Sequence, residues 1–379
     1  MFRALQLLLL AIICICCKQE VQKQEEDLFE LLETGEVITF SLDSITSPFI
    51  NACQIVKENE NTYLTFLNDI SNSIYWYNLE SRQLYKVQQF LEEGPNGTGD
   101  IVGYFYMHPD TVILISRNNH KIRFVNAASE VFRVIDLLSV MNEANGLCFP
   151  LAGFGRDIIL EHDKLFIICA HDFVNSSNMF PKNVIVIDIK NNKTEYLLDY
   201  PNIYQSRNIS AYYLHAYQAF NPSTNKFTYS FPLCEYLIET DHAGYLKSHL
   251  AKSNFFSADA WQRKDLVEHN TKISSRDLLR NYMKTPTYKF LIFDSYRNTY
   301  YRVAEIPQQE LQTKDNYPVK YQSVLILNEQ FQKIGEHYLD INSKPSPYFL
   351  TNDGIYFHTT PLKESLLTFR KLVLKEIER

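Results

Sequence analysis

The chain has 379 residues, of which 37 are Lys or Arg and 44 are Asp or Glu, for a net charge of −7 without a basic patch. That balance excludes nucleic acid as a partner. The length admits two domains, but a single barrel, sandwich or propeller can use as much chain in one unit.

The N-terminus reads as an export signal. Arg3 gives a small positive start, and Leu5, Leu7, Leu8, Leu9, Leu10, Ala11, Ile12, Ile13 and Ile15 form an apolar core too short to span a bilayer comfortably. It ends in Cys14, Cys16 and Cys17, and the charged run from Lys18 to Asp27 follows at once. Acylation of a cysteine at such a junction replaces the discarded helix as an anchor. Cys17 is the expected lipid attachment site, with Cys16 open and an ordinary cleaved secretory signal as the alternative. Residues 1–17 are therefore assigned to a lipoprotein signal peptide and 18–34 to a polar tether.

After Gly35 the chain turns to short runs of Val, Ile, Tyr, Phe and Thr between Asn, Asp, Ser and Pro turns. The predicted strands fall into groups: 62–67, 73–78 and 84–90; then 101–107, 111–116, 121–126 and 131–137; then 157–161, 165–170, 184–189 and 194–198. The later groups are 214–220, 226–231, 235–240 and 245–249; then 288–293, 299–303, 319–327 and 331–338; and finally 348–350, 355–358 and 366–374. Repeated meanders of about four strands predict an all-β, six-bladed β-propeller, because each sheet buries its faces only against its neighbours. Seven blades or a two-sheet sandwich are the alternatives. A strand at 36–42 completes the last group and closes the ring, so 35–379 form one domain. A helical insertion at about 257–285, capped by Ser257 and again by Ser274 or Ser275, either covers one mouth of the ring or straps two blades.

Four cysteines of the body, Cys53, Cys148, Cys169 and Cys234, are widely spaced among apolar residues and read as buried thiols rather than a disulfide framework. No CxxC, HExxH or GxSxG spacing occurs, and neither metal nor cofactor is expected. The glycine-dense Gly94-Pro95-Asn96-Gly97-Thr98-Gly99 precedes a predicted strand, so it reads as a turn between blades and not as a phosphate loop.

Several residues carry candidate ligand chemistry. His108-Pro109-Asp110, Glu161-His162-Asp163 and His171-Asp172 offer metal or acid–base groups at hairpin ends, where His and Asp are also ordinary turn residues. In the aromatic stretch 212–220, Tyr213, His215, Tyr217 and Ala219 would share one strand face, suited to a sugar or peptide or simply to packing between blades. Arg297 and Arg302, with Tyr301 beside them, form a charged turn and strand able to grip a carboxylate or phosphate, or to pair with a neighbouring acid.

The lipoprotein start, Glu93-Gly94-Pro95-Asn96-Gly97, 227–233, 244–248 and 293–302 together resemble the DUF4221 family of uncharacterised lipoproteins from Bacteroidetes-type bacteria. The resemblance spans nearly the whole body and implies a six-bladed, TolB-like propeller, but it assigns no catalytic residue. Ser295 stands where the family pattern favours Pro. The expected function is a lipid-anchored binding or interaction module of the cell envelope, at the outer membrane or facing the periplasm. Its partner would be an envelope protein, peptide or glycan, and the membrane would be met through the lipid. The alternative is a propeller enzyme, a glycan hydrolase or lyase or a quinoprotein-like dehydrogenase.

Overall fold

The computed structural model describes residues 27–116, 120–140, 148–171, 182–205, 209–242, 244, 246–257, 260–261, 274–307, 320–339, 343–361 and 363–378. Among these, the strands form six antiparallel sheets set in a ring, five of four strands and one of five. The chain is a six-bladed β-propeller.

The first sheet runs Cys53–Glu58, Asn61–Asn68, Ser73–Asn78 and Leu84–Gln89, and the second Ile101–His108, Thr111–Ser116, Lys121–Val125 and Val131–Asp136. In the third, two short pieces, Cys148–Pro150 and Ile159–Glu161, share the innermost place against Lys164–His171, followed by Val184–Asp188 and Lys193–Leu197. The fourth is Tyr217–Asn221, Lys226–Ser230, Tyr236–Thr240 and Leu246–Leu250, and the fifth Thr287–Asp294, Thr299–Pro307, Lys320–Leu327 and Lys333–Tyr338. The sixth joins both ends of the chain: Ser343–Thr351, Gly354–Thr359 and Leu366–Glu376 pair onward to Phe29–Ser41.

Burial follows position in the sheet. Thr111–Ser116 is buried at every residue because both its faces meet neighbouring sheets, whereas the outer strand Leu84–Gln89 is mostly exposed. The cores lie between sheets. Phe40, Phe66, Tyr77, Phe349 and Phe369 fill the space between the sixth and first, and Ile113, Ile115, Leu165, Ile167 and Ile185 that between the second and third.

Several expectations shift at their edges. The closing strand begins at Phe29 and not at residue 36, because Gly35, at φ 78°, sits in a β-bulge between Glu33 and Val37 within one strand. The last part of the expected tether is therefore sheet; residues 1–26, including Cys17, lie outside the described residues. The fourth sheet starts at Tyr217, after a 3₁₀ turn at Ala211–Tyr213, so the anticipated strand face running back through His215 to Tyr213 does not form. The first sheet gains Cys53–Glu58 and the third gains Cys148–Pro150. Cys169 is disulfide-bonded rather than a free buried thiol, while Cys53 and Cys234 are free. Of the insertion, the second helix is present as Ser275–Lys284, capped by the Ser274 hydroxyl accepting from Asp277 N at 3.2 Å. The first falls largely outside the described residues.

The closing seam is the point where packing can be weighed. Phe40 is fully buried edge-on to Tyr77 at 5.4 Å and to Phe369 at 6.4 Å. On the same strand the partly exposed Glu33 meets Arg370 at 2.8 Å. Phe40→Ala is expected to cost about 3–5 kcal/mol and Glu33→Ala under about 1 kcal/mol in urea unfolding. Equal losses would mean that aromatic packing does not hold the seam.

Candidate functional site

The chain enters each inner strand at one end of the ring, here the crossover end, and leaves it by a hairpin at the other. Inner strands of all six sheets face a central channel. In a ring of six this channel is narrow, and a segment of the third sheet fills part of it.

That segment is 151–157, Leu-Ala-Gly-Phe-Gly-Arg-Asp, which links the two short inner pieces of the third sheet and plugs the crossover end. It touches the other sheets in turn. Ala152 packs so tightly on Gly103 of the second sheet that a side chain at Gly103 would overlap it. The Phe154 amide donates to Asn51 O at 2.6 Å, beside the first sheet. Gly155 lies against the Phe290 ring of the fifth, where any side chain would collide. The Asp157 carbonyl accepts from Gln218 of the fourth at 2.8 Å. Gly153, Phe154 and Gly155 all have positive φ, at 78°, 52° and 72°, which two glycines allow and an aromatic residue adopts at a cost of about 1–3 kcal/mol.

The sixth sheet is reached across the channel. The Tyr348 hydroxyl donates to Asp157 Oδ2 at 2.9 Å, joining sheets on opposite sides of the ring. This bond divides the interior into two cavities of about 410 and 340 Å³ that share Phe105, Asp157 and Tyr348 in their walls. The larger is lined by Asn51, Cys53 and Gln54 and opens beside the plug; the smaller, lined by Leu160, Phe220 and Phe293, lies toward the hairpin end. Asp157 faces open space, yet the surrounding wall raises its carboxyl above the usual range, with the Tyr348 hydrogen bond opposing the rise. The Cys53 thiol donates to Tyr348 O at 3.2 Å; burial first, and the Asp157 charge second, push its pKa up. It stays protonated and is not a nucleophile at neutral pH. Among the described residues, no group of three His, Cys, Asp or Glu is placed to hold a metal.

A buried ionic cluster stands at the crossover end of the fifth sheet. Glu305 accepts from Tyr282 of the helix Ser275–Lys284 at 2.6 Å and from Thr287 at 2.9 Å, and meets Lys289 at 2.8 Å and Lys320 at 3.1 Å. Burial alone would raise its carboxyl, but Lys320 and Lys289 hold it at about 2. Lys320 is itself lowered to about 8, chiefly by burial, since it shares its one carboxylate with Lys289.

The family described as a domain of unknown function, DUF4221, matches residues 28–338. The chain belongs to the DUF4221 family. A crystal structure of a DUF4221 member from Bacteroides vulgatus covers 93% of this chain and 100% of its own at a TM-score of 0.76 and 20% identity. A Bacteroides fragilis protein described as exported covers 94% of this chain and 98% of its own at a TM-score of 0.53 and 10% identity. At these identities the likeness concerns the fold. No curated protein matches the chain.

In this DUF4221 member the residues singled out in sequence do not meet. His108 sits in a hairpin turn, its Nδ1 accepting from Asp110 N at 3.3 Å. Arg297 lies at the same end and ties the fifth sheet to the sixth, donating to Asp294 at 2.7 Å, Thr351 O at 3.2 Å and Asn352 O at 3.0 Å. His215 and Tyr217 are at the opposite, crossover end. Tyr301 and Arg302 are fully buried, a correction to their reading as ligand contacts. The Arg302 guanidinium stacks on Tyr288 at 3.4 Å and donates to Ser230 Oγ at 3.0 Å and to the carbonyls of Cys234, Glu235 and Ala251 at 2.6, 3.1 and 2.7 Å. It pins the crossover out of the fourth sheet from within. The side chain of His171 is outside the described residues. What sequence reasoning missed is the plug, whose one signal is Gly153-Phe154-Gly155 ahead of Arg156-Asp157.

The ionic cluster predicts a pH dependence. Glu305 falls from an ordinary 4.5 to about 2 in the folded chain, so its stabilisation is complete above pH 4.5 and is lost as pH drops through about 2. Glu305→Gln should remove this acid-sensitive component and lower stability at neutral pH by about 3–5 kcal/mol, because two buried ammonium groups lose their counterion. Urea unfolding of both proteins across that range tests it; an unchanged acid limb in the variant would refute the assignment.

Proposed function

We propose that this protein is exported, held at the cell envelope by a lipid on Cys17, and binds a peptide or glycan at the crossover mouth, through the plug and the cavity beside it. The observation that carries this reading is Phe154. It is an aromatic residue in a strained left-handed conformation, yet 54% of its surface is exposed, so the strain presents the ring to solvent instead of burying it. Strain kept at an exposed aromatic position between two glycines points to contact with another molecule. The channel supports binding over catalysis. Among the described residues its two cavities bring together one carboxyl, the phenols of Tyr106 and Tyr348 and one protonated thiol, and the carboxyl and the Tyr348 phenol are bonded to each other.

The anchor and the mouth fit one orientation. The closing strand starts at Phe29 at the hairpin end and runs toward the crossover end, where Ser41 leads on to the first sheet. A tether from Cys17 therefore reaches the ring at its hairpin end, and the crossover mouth looks away from the membrane. The apolar run of residues 5–15 ending in Cys14, Cys16 and Cys17 supports this address, as does the description of a Bacteroides fragilis protein of similar fold as exported.

Two measurements test the proposal. Labelling of the expressed protein with a radioactive fatty acid is expected to be lost in Cys17→Ala; undiminished incorporation would remove Cys17 as the anchor. In a thermal-shift screen of peptides and oligosaccharides, Phe154→Gly should leave stability unchanged or raise it by up to about 1 kcal/mol while weakening the binding of any hit. A hit bound equally well by the variant would place the ligand elsewhere.

A further inference from the structure

We infer that the crossover mouth holds a site for an anionic group of the ligand, a carboxylate or a phosphate, between the guanidinium of Arg156 on the plug and the ammonium of Lys289 on the fifth sheet. This rests on the reading of that mouth as the ligand face.

Arg156 is the anomaly that motivates it. Arg302 has its donors engaged by carbonyls and a hydroxyl, and Arg297 by a carboxylate and two carbonyls. Arg156, by contrast, shows no carboxylate or carbonyl partner for its guanidinium among the described residues, and its Nε is buried without any hydrogen-bond partner. Its contact is with the face of Tyr217, 5.1 Å from the ring centre. A buried guanidinium N–H left unsatisfied is destabilising unless something else occupies its acceptor position.

The second cation is brought close by the plug itself. Gly155 packs on Phe290, so Arg156 and Lys289 each stand one residue from that contact. Phe290 and Tyr217 meet edge to face at 5.3 Å, and the Lys289 ammonium, next to Phe290 in the chain, is close enough to feel the Tyr217 phenol. Arg156 and Lys289 thus flank one tyrosine.

The charges do not cancel. Lys289, Lys320 and Arg156 give three positive charges against the carboxyls of Glu305 and Asp157, which leaves a surplus of at least one within a chain whose net charge is −7. Glu305 is already engaged by Tyr282, Thr287 and both lysines. Asp157, next to Arg156 in sequence, is held across the channel by Tyr348. An oxyanion beside Tyr217 would satisfy the Arg156 Nε and offset the surplus, and a planar guanidinium with a neighbouring ammonium suits either carboxylate or phosphate oxygens.

The test uses the full mature protein in detergent, titrated with inorganic phosphate or citrate against sodium chloride at matched ionic strength. Melting temperature and the arginine Nε–Hε NMR signals are followed together. A saturable rise in melting temperature with phosphate or with citrate, accompanied by movement of the Arg156 Nε–Hε signal, is expected, and the more effective anion tells which oxyanion the site prefers. Arg156→Gln and Lys289→Gln should each weaken the apparent affinity by about tenfold or more. Absence of a saturable effect beyond chloride, an Arg156 signal that does not move, or Arg156→Gln binding within about twofold of the parent would overturn the site. The signal of the unmodified protein decides the matter even if a variant fails to fold. A ligand carrying a carboxylate or phosphate that binds through Phe154 but is indifferent to Arg156→Gln would overturn the anion site and leave the mouth reading intact.

Discussion

Because the apolar cores lie between sheets and not within them, every sheet of this ring depends on two neighbours, and the seam that joins Phe29–Ser41 to Leu366–Glu376 decides whether the first and last have theirs. At that seam Phe40, Tyr77, Phe349 and Phe369 do for the sixth and first sheets what Ile113, Ile167 and Ile185 do for the second and third. Closing with the N-terminal strand on the outside has a further geometric consequence. The closing strand is entered at Phe29, at the hairpin end, opposite the plugged end of the channel.

Buried charge in this protein sits where sheets hand over to one another. Arg302 is on a middle position of the fifth sheet, but the groups it satisfies belong to the fourth sheet and the crossover that leaves it. Removing a guanidinium from water is expensive, and four well-placed acceptors together with the face of Tyr288 offset that penalty. Glu305 does the same work for the helix Ser275–Lys284, binding Tyr282 to the edge of the fifth sheet. Neighbouring aromatic rings exclude water from both clusters, so their charges interact strongly; the same exclusion makes each intolerant of losing a partner.

Much of the ring was legible because its strands alternate with turn residues at short intervals, and a middle strand such as Val184–Asp188 can hardly be read otherwise. The failures have physical causes. Gly35 looks like a boundary, but its positive φ makes a bulge inside a strand whose outer face is polar because it is the exposed edge of a sheet. Cys53–Glu58 escaped notice because an inner strand faces a channel on one side and tolerates polar residues such as Gln54, and Cys148–Pro150 because it is only three residues long. The aromatic run 212–220 alternates like a strand over its whole length, yet Tyr213 and Leu214 are buried in a crossover where the backbone turns. Arg297 and Arg302 could not be told apart in sequence, since five residues on adjoining elements separate a surface tie from a buried pin.

The plug was illegible for a different reason: its order is entirely long-range. Nothing within 151–157 favours a fixed conformation, and its three successive positive φ values would be poorly populated in an isolated peptide. They are imposed by contacts with Gly103, Asn51, Phe290, Gln218 and Tyr348, one from each of the other five sheets or its entry. A segment specified by the whole ring can keep a strained aromatic residue in place, because relaxing it would break contacts to several sheets at once. That is the condition under which local strain survives in a folded protein, and it makes the plug the part of the molecule whose geometry is most dependent on the ring being closed.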